Sequence, residues 1–347
     1  IPSELELARH YGVSRNPTRQ ALRDLELEGY ITRTPGRGSF VAPASRRQKL
    51  FRLAEGWRTI AIACPEVECR YSREVIQGFI EAASARGFHT MVYFLRFSDA
   101  TEFEFIADMR NAGIEGIALW LQHPGSPRTL ELLERFQRSG FPFVLIDRYV
   151  RALESDFVVS DKEDFGYRLT KALIQKGHRR IGIISPELDN TATEDRLEGY
   201  RRALKEAGLP FQKEAMGIFS AKGEPVRAVV NRILALRGRP TAFFCVNDGA
   251  AVKLLDELTG LGYGVPEDVE LATVDDNSVA QVLEVPLLWA AQAGSDMGKR
   301  SAELLLERVA DTRRPVEQVF LKGTLCEGGQ AAAVGAAEPA PPAAGTA

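Results

Sequence analysis

From residue 59 onward, short apolar runs alternate with amphipathic stretches, and this rhythm is what most constrains the fold. Apolar runs at 59–63, 90–95, 116–119, 143–146, 157–159, 180–184, 217–219, 241–246, 270–274 and 318–321 predict strands. Between them, 3.6-residue periodicity predicts helices at 73–86, 130–139, 165–176, 194–207, 226–235, 250–260 and 295–310. Such alternation builds open parallel α/β sheets. The spacing repeats on either side of residue 160, and about 270 residues are more than one lobe usually holds, so two similar lobes are expected.

Composition narrows the class. Of 347 residues, 45% are hydrophobic and 26% charged, ordinary globular usage. No apolar run reaches the roughly 18–20 residues of a membrane span, and no secretory signal opens the chain. Cys64, Cys69, Cys245 and Cys326 form no CxxC pair, and four histidines are too few for a histidine-rich centre. A cytoplasmic protein with no metal and no cofactor is expected. Residues 329–347, nine of them Ala, three Pro and three Gly, predict a disordered tail.

Charge is asymmetric. Residues 1–52 hold ten Lys/Arg against five Asp/Glu, whereas the whole chain has a net charge of −3. A basic head on an acidic body is expected when one end meets a polyanion. Within 1–42, Ser3 and Glu6 form a capping box for a first helix, with Leu7, Ala8 and Tyr11 inward and Gly12 as its stop. Ser14 caps a second helix, with Ala21, Leu22 and Leu25 as its buried stripe. Arg15, Arg19 and Arg23 fall on its exposed face, and Gly29 ends it. Two short strands then flank Pro35-Gly36-Arg37-Gly38. This order is a winged helix-turn-helix. Side chains at the start of the second helix, from Ser14 on, would face base edges, and Arg37 would reach phosphate or the minor groove. Residues 43–57 read as a basic linker.

Enzyme signatures are absent: there is no GxSxG, GxxxxGK[ST], GxGxxG after a strand, or HExxH. What remains is polar residues at the C-terminal ends of strands, where open α/β sheets bind ligands. These are Asp147 and Arg148, Asp161, Asn247 and Asp248, and Asp275 and Asp276. Tyr71, Trp120 and Trp289 could cover the apolar faces of a cyclic polyol.

Two family resemblances follow from these residues. "PSELELARHYGVSRNPTRQALRDLELEGYITRTPGRGSFVA" resembles the GntR family of regulators, which implies Arg15, Asn16, Thr18 and Arg19 at a DNA face and Gly36 and Arg37 in the wing. That family usually has an arginine in place of Leu5. Its first helix would precede Ile1, so the head is expected to be N-terminally truncated. "GFPFVLIDRYV", "VVSDKEDFGYRLTKALIQKGHRRIGIIS", "DRLEGYRRALKEAGL", "RPTAFFCVNDGAA" and "GYGVPEDVELATVDD" resemble the LacI/GalR family, with its periplasmic-binding-protein fold. That resemblance implies an effector between the lobes, touched by Asp147, Arg196, Asn247, Asp248, Asp275 and Gln292. It gives His178 a structural role. It divides 58–328 into lobe 1 (about 58–160 plus 292–320) and lobe 2 (about 161–291 plus 321–328). Leu288-Trp289 replaces two family threonines, the C-terminal Arg-x-Ser ending is replaced, and the hinge-helix motif is absent. The pairing of a GntR-type head with a LacI-type sensor is similar to arabinose-responsive regulators. It implies a transcriptional regulator, expected to be a repressor. Its partners would be double-stranded operator DNA, a small effector such as a sugar, and a second copy of the chain. The alternative is a solute-binding module without DNA-binding activity.

Overall fold

The computed structural model describes residues 1–27, 31–34, 38–41, 57–65, 70–95, 109, 113–121, 124–186, 190–220, 223–274 and 285–327. Gly29, the wing-tip residues Gly36 and Arg37, the linker up to residue 56, Asp275, Asp276 and the Ala/Pro/Gly tail lie outside the described residues.

The head packs helices α1 (Glu4–Tyr11) and α2 (Arg15–Leu27) against an antiparallel hairpin of β1 (Ile31–Thr34) and β2 (Gly38–Val41). The capping box is formed: the Glu6 amide donates to Ser3 Oγ (3.3 Å) and the Ser3 amide to Glu6 Oε2 (2.7 Å). Gly12 ends α1 in the left-handed conformation, φ 65°. The buried stripe of α2 is displaced from the expected one. Thr18 and Leu22, four residues apart, face inward with Ala8 and Ile31, whereas Ala21 and Leu25 are exposed. Tyr11 is also exposed rather than inward. One short helix and one hairpin cover a single face of α2, so one row of its side chains is buried.

Two six-stranded sheets follow. The first has the order β13-β7-β6-β5-β3-β4. It comprises β3 (Thr59–Cys64), β4 (His89–Phe94), β5 (Ile117–Leu119), β6 (Phe143–Ile146), β7 (Phe157–Ser160) and β13 (Gln318–Leu321), all parallel. The second has the order β14-β12-β11-β10-β8-β9. It comprises β8 (Ile181–Ser185), β9 (Met216–Ile218), β10 (Ala242–Cys245), β11 (Glu270–Val274), β12 (Leu288–Ala291) and β14 (Thr324–Glu327), with only β14 antiparallel. The chain passes between sheets after β7, after β12 and after β13. Helices cover the sheets: α3 (Arg70–Ala85), α4 (Pro127–Ser139) and α9 (Gly294–Ala310) on the first, and α5 (Lys162–Gln175), α6 (Thr191–Glu206), α7 (Val226–Leu234) and α8 (Asp248–Gly260) on the second.

The central strands are buried on both faces, which is why they read as continuous apolar runs. Along β3, Ile60, Ile62 and Cys64 enter one layer of the core, while Ala61 and Ala63 enter the other. In the second sheet Phe243 and Phe244 divide in the same way. Each fully buried side chain of this size contributes roughly 1.5–3 kcal/mol.

Several helices begin earlier than their apolar periodicity suggests. Ser126, Asp161 and Asn190 each accept a hydrogen bond from the amide three residues on, which starts α4, α5 and α6 in polar sequence. The strands β12 and β14 were not expected. Among the described residues no helix is long and apolar enough to cross a membrane.

Candidate functional site

The C-terminal edges of the two sheets bring the predicted residues together in part. Asp147 follows β6 in a left-handed conformation, φ 66°, which Asp tolerates better than most residues. Its carboxylate is buried, and Oδ1 accepts from Tyr71 Oη (3.0 Å), in the first turn of α3. Trp120, after β5, meets Tyr71 edge to face at 5.4 Å. Arg148 Nε stands 3.7 Å from Asp147 Oδ2.

The most consequential partner was missed in the sequence. Lys162, the first residue of α5, is 3% exposed. Its ammonium donates to Asp147 Oδ1 (2.7 Å) and to the Asp147 carbonyl (2.5 Å). A buried lysine thus ties lobe 1 to the first helix of lobe 2. Burial pushes the Asp147 carboxyl up, but Lys162, Arg148 and Arg196 outweigh it and hold it below the usual range. Burial also depresses the Lys162 ammonium, against the pull of Asp147. In sequence, only Asp161 of this segment stands out, as a polar residue closing an apolar strand. The available signal was a lysine in the first turn of a helix, where the dipole disfavours a cation.

Arg196, in α6, is 5% exposed and donates from a terminal nitrogen to the Val246 carbonyl (2.7 Å), at the end of β10. Its charge acts on both Asp147 and Lys162. Tyr71, Trp120, Asp147, Arg148, Lys162 and Arg196 therefore form one cluster. Beside it lies a second link between the lobes. Tyr149 and Thr191 hydrogen-bond each other through backbone and hydroxyl (3.2 and 3.3 Å), and Tyr149 Oη donates to Asp195 Oδ2 (3.1 Å). Arg151 pairs with Asp195 as well.

Other expected residues sit at the same edges without a described contact to this cluster. Asn247 caps α8, its Oδ1 accepting from the Ala250 amide (2.8 Å). Asp248 accepts from the Gly249 amide (2.7 Å), within its own helix turn. Trp289 is buried in β12 between β11 and β14, and its indole Nε1 has no hydrogen-bond partner. Gln292 is half-buried, where the chain leaves β12 for α9. His178 bridges Thr241 Oγ1 and Glu270 Oε2, each at 2.9 Å, at the opposite edge of the second sheet.

On the head, Ser14, Arg15, Asn16 and Arg19 are exposed along the start of α2. Arg19 pairs with Glu4 at 3.2 Å. Thr18 departs from the expected DNA face. It is 8% exposed, and its hydroxyl donates to the Glu4 and Arg15 carbonyls (3.3 and 2.9 Å), which docks α2 on α1.

Residues 1–41 match the gntR family of bacterial regulatory proteins, and residues 170–329 match a periplasmic binding protein-like domain. The chain is 27% identical over 325 residues to the arabinose metabolism transcriptional repressor of Geobacillus stearothermophilus, covering 92% of this chain and 87% of that one. It is 28% identical over 255 residues to the HTH-type transcriptional repressor PurR of Vibrio atlanticus (strain LGP32), covering 73% and 75%. In fold it is similar to the structure of a transcriptional regulator CelR–cellobiose complex, with a TM-score of 0.69 and 23% identity over 95% of this chain and all of that one. It is also similar to a LacI family regulator from Enterococcus faecium with bound ribose, at 0.65 and 22% over 79% and 99%. The chain joins the DNA-binding head of the gntR family of bacterial regulatory proteins to a two-sheet periplasmic-binding-protein-like domain, the fold of LacI-type regulators.

Proposed function

We propose that the protein is a repressor of transcription whose hold on operator DNA is set by a small polar molecule, a sugar or related polyol, bound between the lobes. The observation that carries this reading is the buried cluster of Tyr71, Asp147, Lys162 and Arg196. It joins the C-terminal edges of two parallel sheets in a chain that also bears an exposed arginine-bearing helix at its head. Ionisable groups buried in such numbers at that edge support a polar ligand site. The names of the relatives support it: one is a repressor of arabinose metabolism, and two fold neighbours hold cellobiose and ribose.

In this reading Arg196 and Asn247 bond ligand hydroxyls from lobe 2. Asp275 would add an acceptor from the same lobe and Gln292 a polar group from the crossover, and the rings of Tyr71, Trp120 and Trp289 would cover the apolar faces. Lobe closure changes the distance between the two heads of a dimer. Ligand and operator then compete through a difference in affinity between two states. Ser14, Arg15, Asn16 and Arg19 face the DNA, with Gly36 and Arg37 in the wing.

Selection of duplexes from a random DNA library on the full chain tests this. The expected winner is a two-fold-symmetric site with half-sites about 34–36 Å apart, or a multiple of that. Arg15→Ala should weaken binding to it by about 1–3 kcal/mol if the side chain reads a base. Failure to enrich any sequence, or an Arg15→Ala chain that binds like the parent, overturns the assignment.

A further inference from the structure

The two lobes also meet outside the buried cluster, along the loop that follows Asp147 and Arg148. Tyr149 is seated on lobe 1, where its ring stacks on Phe157 of β7 at 4.7 Å. Opposite it lies the first turn of α6, in lobe 2. The Tyr149 amide donates to Thr191 Oγ1 (3.3 Å), and the Thr191 hydroxyl donates back to the Tyr149 carbonyl (3.2 Å). Tyr149 Oη donates to Asp195 Oδ2 (3.1 Å). Arg151 Nε donates to Glu194 Oε2 (3.4 Å), and its guanidinium pairs with Asp195. That guanidinium also stands 5.4 Å from the centre of the Tyr149 ring, so the side chains of the loop brace one another.

Chain connectivity does not impose these contacts. The chain crosses from lobe 1 to lobe 2 just after Ser160, the last residue of β7. Lys162 stands at that crossing, so its pair with Asp147 follows from where the chain runs. Thr191 comes only after the whole of α5 and β8. A rotation of the lobes about their crossings therefore separates Thr191 from Tyr149 before it parts Lys162 from Asp147.

The chemistry suits a contact that opens and re-forms. The Arg151 and Glu194 side chains are 55% and 49% exposed, so separation leaves no buried charge behind. Tyr149 and Asp195 are half-buried. The Asp147–Lys162 pair is the opposite case, because parting it would strand two buried charges. The loop also joins the segments that carry the expected effector residues: Tyr149 comes two residues after Asp147, and Asp195 directly precedes Arg196.

We propose that Tyr149–Arg151 is a clasp that holds the cleft closed by itself, so that Asp147 and Arg196 stand together before an effector arrives. A ligand that meets a closed cleft does not have to supply the free energy of closure.

Spin labels on Arg73→Cys and Lys253→Cys, with Cys69→Ser and Cys326→Ser, span the cleft. Both sites are exposed, near the starts of α3 and α8, at the C-terminal edges of the two sheets. Double electron–electron resonance on the full chain, diluted with unlabelled chain and with no sugar added, reads the distance between them. The parent should give one dominant distance. Arg151→Ala, a change at an exposed side chain, should add a second, longer population, and Arg151→Ala with Thr191→Val should make it the major one. Arg151→Lys should keep the parent distribution. Arg232→Ala, which removes an ion pair with Glu224 inside lobe 2, should change nothing. A sugar that stabilises the parent should bind the double variant about 10-fold more weakly, as for a cleft closed about a tenth of the time. The distance measurement needs no ligand, so a chain that binds no sugar still tests the clasp, and failure of the clasp leaves the sugar reading standing. A double variant with the parent's distances, or a parent in which the longer distance already dominates, overturns the proposal.

Discussion

Asp147 and Lys162 form a buried ion pair across the two lobes. Each alone is a costly burial, and together they hold. Lys162→Met should destabilise the chain by about 3–5 kcal/mol in urea unfolding, since it leaves the buried Asp147 carboxylate without its ammonium partner. The double variant Lys162→Met/Asp147→Asn should recover most of that loss. A single variant as stable as the parent would mean that the pair contributes nothing. The same pair sets an acid limit. The Asp147 pKa is lowered on folding, so its stabilisation is complete above the ordinary Asp value of about 3.9 and fades as pH falls below it. Stability measured across that window should fall less steeply in Asp147→Asn. Sequence reading reached Asp147 because a polar residue closing an apolar strand is conspicuous. It missed Lys162 because burial of a lysine is decided by what the fold places opposite it. Thr18 was misjudged for the related reason that a hydroxyl can face water or cap a neighbouring carbonyl equally well.

At the scale of elements, the helix pair that carries the site is set by two glycines. A Cβ on Gly199 of α6 would overlap the Glu163 carbonyl of α5, and one on Gly166 of α5 would overlap the Arg196 carbonyl. The helices touch backbone to backbone, which fixes Lys162 and Arg196 at their N-terminal ends. Lobe 1 repeats the device. Gly298 of α9 lies on the Val75 carbonyl, and Gly78 of α3 lies on the Ser295 carbonyl. Gly199→Ala should cost about 1–3 kcal/mol by thermal or urea unfolding, despite alanine's better helix propensity. An unchanged or higher stability would show that the helices can separate freely. The strands were legible because parallel, doubly covered strands are uniformly apolar. Helix starts were not, because a first turn begun by Ser126, Asp161 or Asn190 is polar and carries no periodic signal. The strand β14 is half-exposed at the sheet's antiparallel edge, and its pattern is as weak as that position allows.

For the whole molecule, the account rests on one coupling: occupancy of the cleft between the lobes changes the affinity of the head for DNA. The order of elements made the two parts of the chain readable separately. How they communicate is not written in any motif, because coupling is a difference in free energy between two arrangements of the same residues. The direct measurement is fluorescence anisotropy of the selected operator duplex at fixed salt, with and without the sugar that thermal shift identifies as stabilising. It should be run on the parent chain and on Arg196→Gln. The account predicts a loss of operator affinity of about 5–150-fold on adding the sugar, corresponding to about 1–3 kcal/mol of coupling. In Arg196→Gln it predicts intact operator binding and no response. Equal operator affinity with and without a sugar that demonstrably binds the parent chain would contradict it.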